Sequence, residues 1–502
     1  MSAPRTGARN GRRAGEPRPP HDRRPAPEIE QLKQENERLR RQLADAEKRI
    51  ADLERQLALH QQNSTTSSKP PSSDGLAGCQ RERGRRTKSR RKPGGQAGHP
   101  GHCRPLVPIE QVQAVVEVFP DACRHCQHDL PARGRQVIGA PRRHQVTELP
   151  PIEAHVTEYQ CPSVVCPACG KRTQAPVPDE VVGQFGPQLT ALIAYLTVVC
   201  RLPRRVVQTF LEGALHIPIS LGSTHAAWEE TSVAVAGPCE ELEQALPQQP
   251  VLNGDETGSR TNGAKRQLWV LVAPLYVVYR IATTRSADVL IDLLGPVFAG
   301  ILCSDRWASY PSYHKGLLQF CWAHFTRNIR SAQELAKTRA GKRFCREALA
   351  LQARLFRLWH RFRGDHAGRG SPLTREQLIA KTLPLAKQFF ALGKRYLDSA
   401  DADVRNLATA LFVKHQHFFV FIHHEGVEPT NNRAERALRC AVQWRKISFG
   451  NRSRAGELAV ARLLTVTRTC HMQQLNALAY LTAAIRCHRR RQAVASLLPK
   501  RV

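Results

Sequence analysis

Acidic side chains are scarce in this 502-residue chain, where 43 Asp and Glu stand against 75 Lys and Arg for a formal net charge of +32. That imbalance argues for a polyanionic partner, drawn in by counterion release and long-range steering. Long apolar runs are missing too. The nearest, "LTALIAYLTVVC" at 189–200, is mixed and falls short of the roughly 20 residues a membrane helix needs, so nucleic acid leads over an anionic membrane. The first 26 residues are rich in Arg, Pro and Gly without an apolar signal-peptide core, which reads as a basic tail on a soluble, cytoplasmic protein. Cysteine is plentiful at fifteen residues, an odd count whose clustered pairs favour metal over disulfide in a reducing compartment.

The pattern along the chain divides it into eight stretches. After a disordered basic tail (1–27), residues 28–62 carry heptads with Ile29, Asn36, Leu43, Ile50 and Leu57 at a, and Leu32, Leu39, Ala46, Leu53 and His60 at d. This is the signature of a short dimeric coiled coil, with Asn36 fixing register and Glu35–Arg40 and Arg49–Glu54 pairing across the helices. A Ser/Pro and basic linker (63–105) follows, whose "RERGRRTKSRRK" includes Arg85, Arg86, Arg90 and Arg91 as candidate phosphate contacts. In 106–180, Cys123-x2-Cys126 and Cys166-x2-Cys169 form two knuckles that suit a structural zinc ribbon. The strands "HQVTELP" and "EAHVTEYQ" are expected to bring the knuckles together, and Cys161 and Cys103 are rival ligands. Residues 181–248 are helical, with a helix, turn, helix pattern that either reads DNA or simply packs.

From 249 to 330 the pattern is three strands, helix, strand, helix, strand, which predicts a mixed α/β unit around a central sheet. An all-helical insertion (331–425) precedes a closing segment (426–502). In this frame Asp255 of "GDETG" closes the first strand, Asp305 of "SDRWASY" closes the fourth, and Glu435 arrives on a helix that Asn431 or Thr430 caps. Glu435 is the only acid from Pro429 to Gly456, among Arg433, Arg436, Arg439, Arg445, Lys446, Arg452 and Arg454. Glu435 and Arg439, four apart, are placed to pair. Three carboxylates can hold two divalent cations about 4 Å apart for in-line displacement at phosphorus, and hard oxygen ligands suit magnesium or manganese. Glu256 is the nearest rival ligand, but neighbours on a strand face opposite ways.

These motifs together carry a resemblance. The heptads, "SSKPPSSD", "RKPGGQAGHPGH", the knuckles, "GDETG", "SDRWASY", "CWAH", "TNNRAERALR" and "LNALAYLTAAI" occur in an order similar to insertion-sequence transposases of the acidic-triad (DDE) class, most of all the insertion sequence 66 family. The resemblance implies an RNase H-like catalytic core, metal binding by Asp255, Asp305 and Glu435, and activity on the ends of an element and on target DNA. It also implies a supporting Cys-x2-His element in Cys321 and His324, and possible accessory proteins from the same element. Asn431 and Asn432 match the paired asparagines of the family motif, whereas Thr430 stands where the family often has Asp. Two other readings stay open at this level: a structure-specific nuclease on the same core, and a zinc-containing DNA-binding regulator.

Overall fold

In the computed structural model the described residues are 26–62, 104–131, 133, 136–364 and 371–499. Arg85, Arg86, Arg90, Arg91 and Cys103 lie outside them. The heptad stretch forms one helix, α1 (Ala26–Gln61), and Leu32, Leu39, Leu43, Ile50, Leu53 and Leu57 line it as exposed apolar side chains. Its far end meets the rest of the chain through Arg55 and Asp403 (3.0 Å) and through Gln62 Nε2 donating to Ser331 Oγ (2.5 Å). Glu54, read above as a partner for Arg49, faces Lys337 at 3.8 Å.

The cysteine region has little regular structure beyond a hairpin of β1 (Ser163–Val165) and β2 (Arg172–Gln174) around the second knuckle. The strands expected at "HQVTELP" and "EAHVTEYQ" are absent, and that stretch runs exposed and extended. Its polar contacts are instead with residues 104–107, for example Val107 N donating to Gln145 Oε1 at 2.8 Å. Alternating apolar residues make a strand only where a partner covers one face, and none does here. Helices α2 (Pro187–Val198), α3 (Arg204–Leu215) and α4 (Leu221–Ala234) enclose a small core of Ile193, Leu196, Val207, Leu211, Ile219 and Ala227. His216 ends α3 in the left-handed region, and Ser220 caps α4 by accepting from Ser223 N. A short helix, α5 (Ala236–Gln244), leads into the sheet.

Strands β3 (Val251–Thr261), β4 (Ala264–Val272) and β5 (Val277–Ala282) form an antiparallel meander. The Asn262-Gly263 turn, with φ of 47° and 78°, has the double positive φ that a two-residue hairpin requires. After helix α6 (Asp288–Leu294), strand β6 (Ile301–Ser304) runs parallel to β3; after helix α7 (Ser309–Tyr313), strand β7 (Leu318–Phe320) runs parallel to β6. The sheet order is β5-β4-β3-β6-β7, so the chain is mixed α/β.

Helices α8 (Trp322–Leu335), α9 (Arg339–Arg363), α10 (Arg375–Arg395), α11 (Ala402–Val413) and α12 (Val420–His423) follow. They share one apolar core with the sheet. Trp322 lies against Phe325, Phe389, Phe418 and Phe419, and its indole N–H donates to the Phe418 carbonyl at 2.7 Å. The chain then returns as α13 (Asn432–Ser448), α14 (Arg454–Met472) and α15 (Ala477–Arg489). α14 closes the β5 edge, where Thr469 and Thr465 hydroxyls accept from Val277 and Tyr279 amides at 3.3 and 3.0 Å. An otherwise open edge is thereby satisfied by side chains. On α15, Arg489 joins Glu230 of α4 at 2.7 Å, which binds the early helices to the end of the chain.

Asn431, 1% exposed, fixes α13 to the sheet. Its amide nitrogen donates to the Gly254 carbonyl (2.7 Å), its amide oxygen accepts from Asn253 Nδ2 (3.0 Å), and its backbone N–H donates to Cys321 Sγ (3.1 Å). It therefore makes no side-chain cap of α13, contrary to expectation, because β3 takes up both ends of its amide. Gly254 also leaves room for Tyr310: a Cβ there would meet Tyr310 Cε1 at 3.1 Å and Leu271 Cδ2 at 3.3 Å. Asn431→Ala would strand the buried Asn253 amide and Gly254 carbonyl, a loss of about 1–3 kcal/mol. We expect the variant to melt several degrees lower; an unchanged melting temperature would show that the pin is dispensable.

Candidate active site

β6 covers β3 only over Val251–Asn253, so beyond Asn253 that side of β3 has no strand neighbour. Asp255 sits at this opening, two residues past the last parallel pair, and Asp305 immediately follows β6. Asp255 does not close its strand as expected, since pairing with β4 carries β3 on to Thr261. What ends near Asp255 is the parallel partner. Asn253 bonds Asn431, and Thr257 Oγ1 lies 3.4 Å from Arg445 Nη1. The side chains at 253, 255 and 257 alternate onto the face covered by α13, whose first turn contains Glu435. Glu256 belongs to the opposite set and is held by the Tyr310 hydroxyl and the Arg285 guanidinium.

The electrostatics tie the acids together. Burial raises the Asp255 carboxyl well above its ordinary range, with further rises from Glu256, Asp305 and Glu435 partly opposed by the Glu256 amide. Burial also raises Asp305, against lowering by the Trp307 amide, which donates to Asp305 Oδ1 at 2.8 Å, and by Arg285, Arg306 and Arg327. Burial in turn pushes Arg306 down to about 10. Glu435 Oε1 accepts from Arg327 Nη2 at 3.1 Å, so its guanidinium partner comes from α8 rather than from Arg439 on its own helix. His324 Nδ1 lies 3.4 Å from the same oxygen without a hydrogen bond, and burial with Arg327 and Arg306 pushes His324 down to about 3. The imidazole is therefore neutral beside the carboxylate.

Burial opposes the ionisation of both Asp255 and Asp305, and the charge of Asp305 opposes that of Asp255 further; a divalent cation held by these carboxylates would offset those penalties. Cys321, His324 and Glu435 are the one group among the described residues whose ligand atoms all lie within 4.8 Å of one another. Burial pushes the Cys321 thiol up to about 12, while it accepts from the Asn431 amide. As it stands, that thiol is a protonated packing group. Asn432 and Arg433 open α13, and Arg436 is exposed on its first turn.

Each cysteine knuckle forms locally. Cys123 N donates to His128 O and Gln127 N to Cys123 O (2.8 and 2.9 Å), and Cys166 repeats the pattern with Lys171 and Gly170 (2.9 and 2.8 Å). Backbone amides at Cys126 and His125 lower the Cys123 thiol, and those at Cys169 and Ala168 lower Cys166. Each turn thus favours thiolate, yet the two pairs do not gather into a set of three or four ligands. Cys161 is a free thiol upstream of the second.

Sequence reasoning passed over Arg285, Arg306, Tyr310 and Arg327. Arg306 and Tyr310 lie inside "SDRWASY", and Arg327 is three residues after His324 on one helix face, a spacing that signals contact. Arg285 offered no such signal.

A family model described as Transposase IS66 family matches residues 182–458. That span is more than half of the chain and includes all three acids, and the protein belongs to this transposase family. Residues 17–105 match a family of unknown function (DUF6444). No curated protein matches the chain. No helix among the described residues is long and apolar enough to cross a membrane.

For Asp255 and Asp305 the folded pKa is raised. Their contribution to stability is therefore fully present below the unfolded carboxyl pKa and is lost as pH rises through the folded one. Asp255→Asn should accordingly raise the melting temperature of the metal-free protein in mildly alkaline buffer and leave it nearly unchanged in acid. Manganese at about a hundred times its dissociation constant should add about 2.7 kcal/mol to the wild type and little to the variant. A variant that is destabilised in alkaline buffer, or that keeps the full manganese increment, would contradict this account.

Proposed function

We propose that this chain is a DNA transposase that cuts the 3′ ends of its element and joins them to target DNA, using Asp255, Asp305 and Glu435. The observation that supports the reading is electrostatic: Asp305, just after the neighbouring strand, and Glu435, in the first turn of a helix pinned to β3, both raise the carboxyl of Asp255 at the end of parallel pairing, although the three carboxylates do not gather within 4.8 Å as Cys321, His324 and Glu435 do. The sheet order, with three antiparallel strands continued by two parallel ones, supports an RNase H-like core. Magnesium or manganese bound there, two ions per site, would supply Lewis-acid charge to the reacting phosphate.

The protein's own groups prepare that site. Asn431 holds the helix of Glu435 against β3, Arg327 holds its carboxylate, and the Trp307 amide orients Asp305. Arg433 and Arg436, together with Arg85, Arg86, Arg90 and Arg91, are proposed to contact DNA phosphates, and α3 and α4 to position the duplex. The apolar stripe of α1 supports a dimer able to hold two ends, and the thiolate-favouring knuckles support structural zinc on Cys123, Cys126, Cys166 and Cys169.

The amide variants of Asp255, Asp305 and Glu435 should each lower end cleavage and strand transfer by about a thousandfold, several kcal/mol of lost charge stabilisation, with DNA binding retained. Three variants with wild-type rates would sink the assignment. A protein that cuts element ends but never joins pre-cut ends to a target would instead be the nuclease on the same core. Replacing Leu39 and Leu43 by Glu should convert the dimer to a monomer in light scattering; an unchanged mass would remove α1 from the interface.

A further inference from the structure

The most exposed large apolar side chain among the described residues is Phe449, at 91%. It stands at the C-terminal end of α13 with φ 58° and ψ 20°, a left-handed conformation that suits glycine and disfavours a bulky aromatic. Nothing apolar rewards it there. The mount is nevertheless firm. Asn451 N donates to Arg260 O (2.9 Å), Asn262 N donates to Asn451 O (2.8 Å), and Gly450, at φ 97°, lies so close that a Cβ would meet Arg260 O at 2.6 Å. The turn is thus latched to the tip of the β3–β4 hairpin.

The surroundings are cationic. Arg260, Lys265, Arg266 and Arg445 line a cleft of about 470 Å³ beside Phe449, and Arg452 and Arg454 follow in the chain. Glu457, the first acid after Glu435 in the chain, is buried against Arg266. An apolar docking site for a second copy would bring these like charges face to face in a two-fold contact; a polyanion meets no such penalty. α13 also provides a line of approach. Arg436, Arg439, Gln443 and Lys446 are exposed at spacings of three, four and three, one stripe along the helix that starts beside Glu435 and runs toward Phe449. From position 435 to 449 is fourteen residues, which at the helical rise is about 21 Å, or roughly six base pairs of B-form DNA.

We infer that Phe449 is a DNA wedge: with duplex lying along the basic stripe of α13, its ring enters a base step roughly six base pairs from the phosphate at the carboxylates and unstacks it. Apolar side chains flanked by cations unstack base steps in this manner in architectural DNA-binding proteins. The inference rests on the transposase reading for the position of the cut, but its readout does not need cleavage.

The probe is a duplex bearing the terminal inverted repeat that flanks the gene, with 2-aminopurine moved stepwise inward from the cut end, bound to Asp255→Asn protein. Fluorescence should rise several-fold at one step, about six base pairs in. Adding Phe449→Leu should keep the rise and adding Phe449→Gly should abolish it. Phe449→Gly alone should melt at or above the wild-type temperature, since glycine suits the left-handed position, while end cleavage falls about tenfold. Bound DNA without a Phe449-dependent signal at any step overturns the inference. So does a lower melting temperature for Phe449→Gly, which makes the side chain structural, or a changed oligomeric state, which makes it a protein contact. Retained cleavage by Asp255→Asn counts against the carboxylate assignment alone, and failure to bind the duplex at all overturns both.

Discussion

A single buried amide holds this architecture in register. Asn431 reaches β3 at two consecutive residues and meets the Cys321 thiol that precedes α8, so one side chain and its backbone join three segments distant in sequence. Placed away from water, each of those groups would carry a desolvation cost if its partner were removed. The cost makes the arrangement specific: Glu435 has one seat relative to Asp255, and α8 brings Arg327 and His324 to the same carboxylate. The pairing of Trp322 N with Pro429 O at 2.9 Å extends the junction by one more hydrogen bond.

Around that junction the charge distribution is tightly balanced. Four acids, Asp255, Glu256, Asp305 and Glu435, lie with three arginines, Arg285, Arg306 and Arg327, and the two groups differ in how they are held. The acids of the strands are buried, whereas Arg285 stacks on Trp307 at 4.0 Å and Arg327 reaches Glu435 from α8. Long cationic side chains can turn outward while their stems stay packed.

Much of the fold was legible in the sequence because its signals are local. Three antiparallel strands, the later strands and the helical run up to α12 follow directly from alternation, turn residues and 3.6-residue periodicity. The acids could be picked out as chain positions, since they interrupt apolar strands or sit alone in a basic segment. What escaped was set by pairing between distant segments. Pairing with β4 on to Thr261 decides that Asp255 lies mid-strand, and the demand of the Asn253 and Gly254 groups decides that Asn431 is a cross-link and not a cap. Likewise the partner of Glu435 is Arg327 of α8, a segment distant in sequence, where helical spacing alone points to Arg439. The expected strands between the knuckles had alternation but no face to pack on.

The helical stretch between Asp305 and Glu435 has a consequence in time as well as space. Because Phe389, Phe418 and Phe419 surround Trp322 in the same core as the sheet, this stretch is not a detachable module. A chain emerging from the ribosome presents Asp305 some 130 positions before Glu435, roughly ten seconds or more at ordinary rates of synthesis. During that interval the dock for α13, made by Asn253, Gly254 and Cys321, is already present in the chain but has no partner. Glu435 can reach the neighbourhood of Asp255 only after the whole helical stretch has been synthesised, so a chain truncated before α13 lacks it.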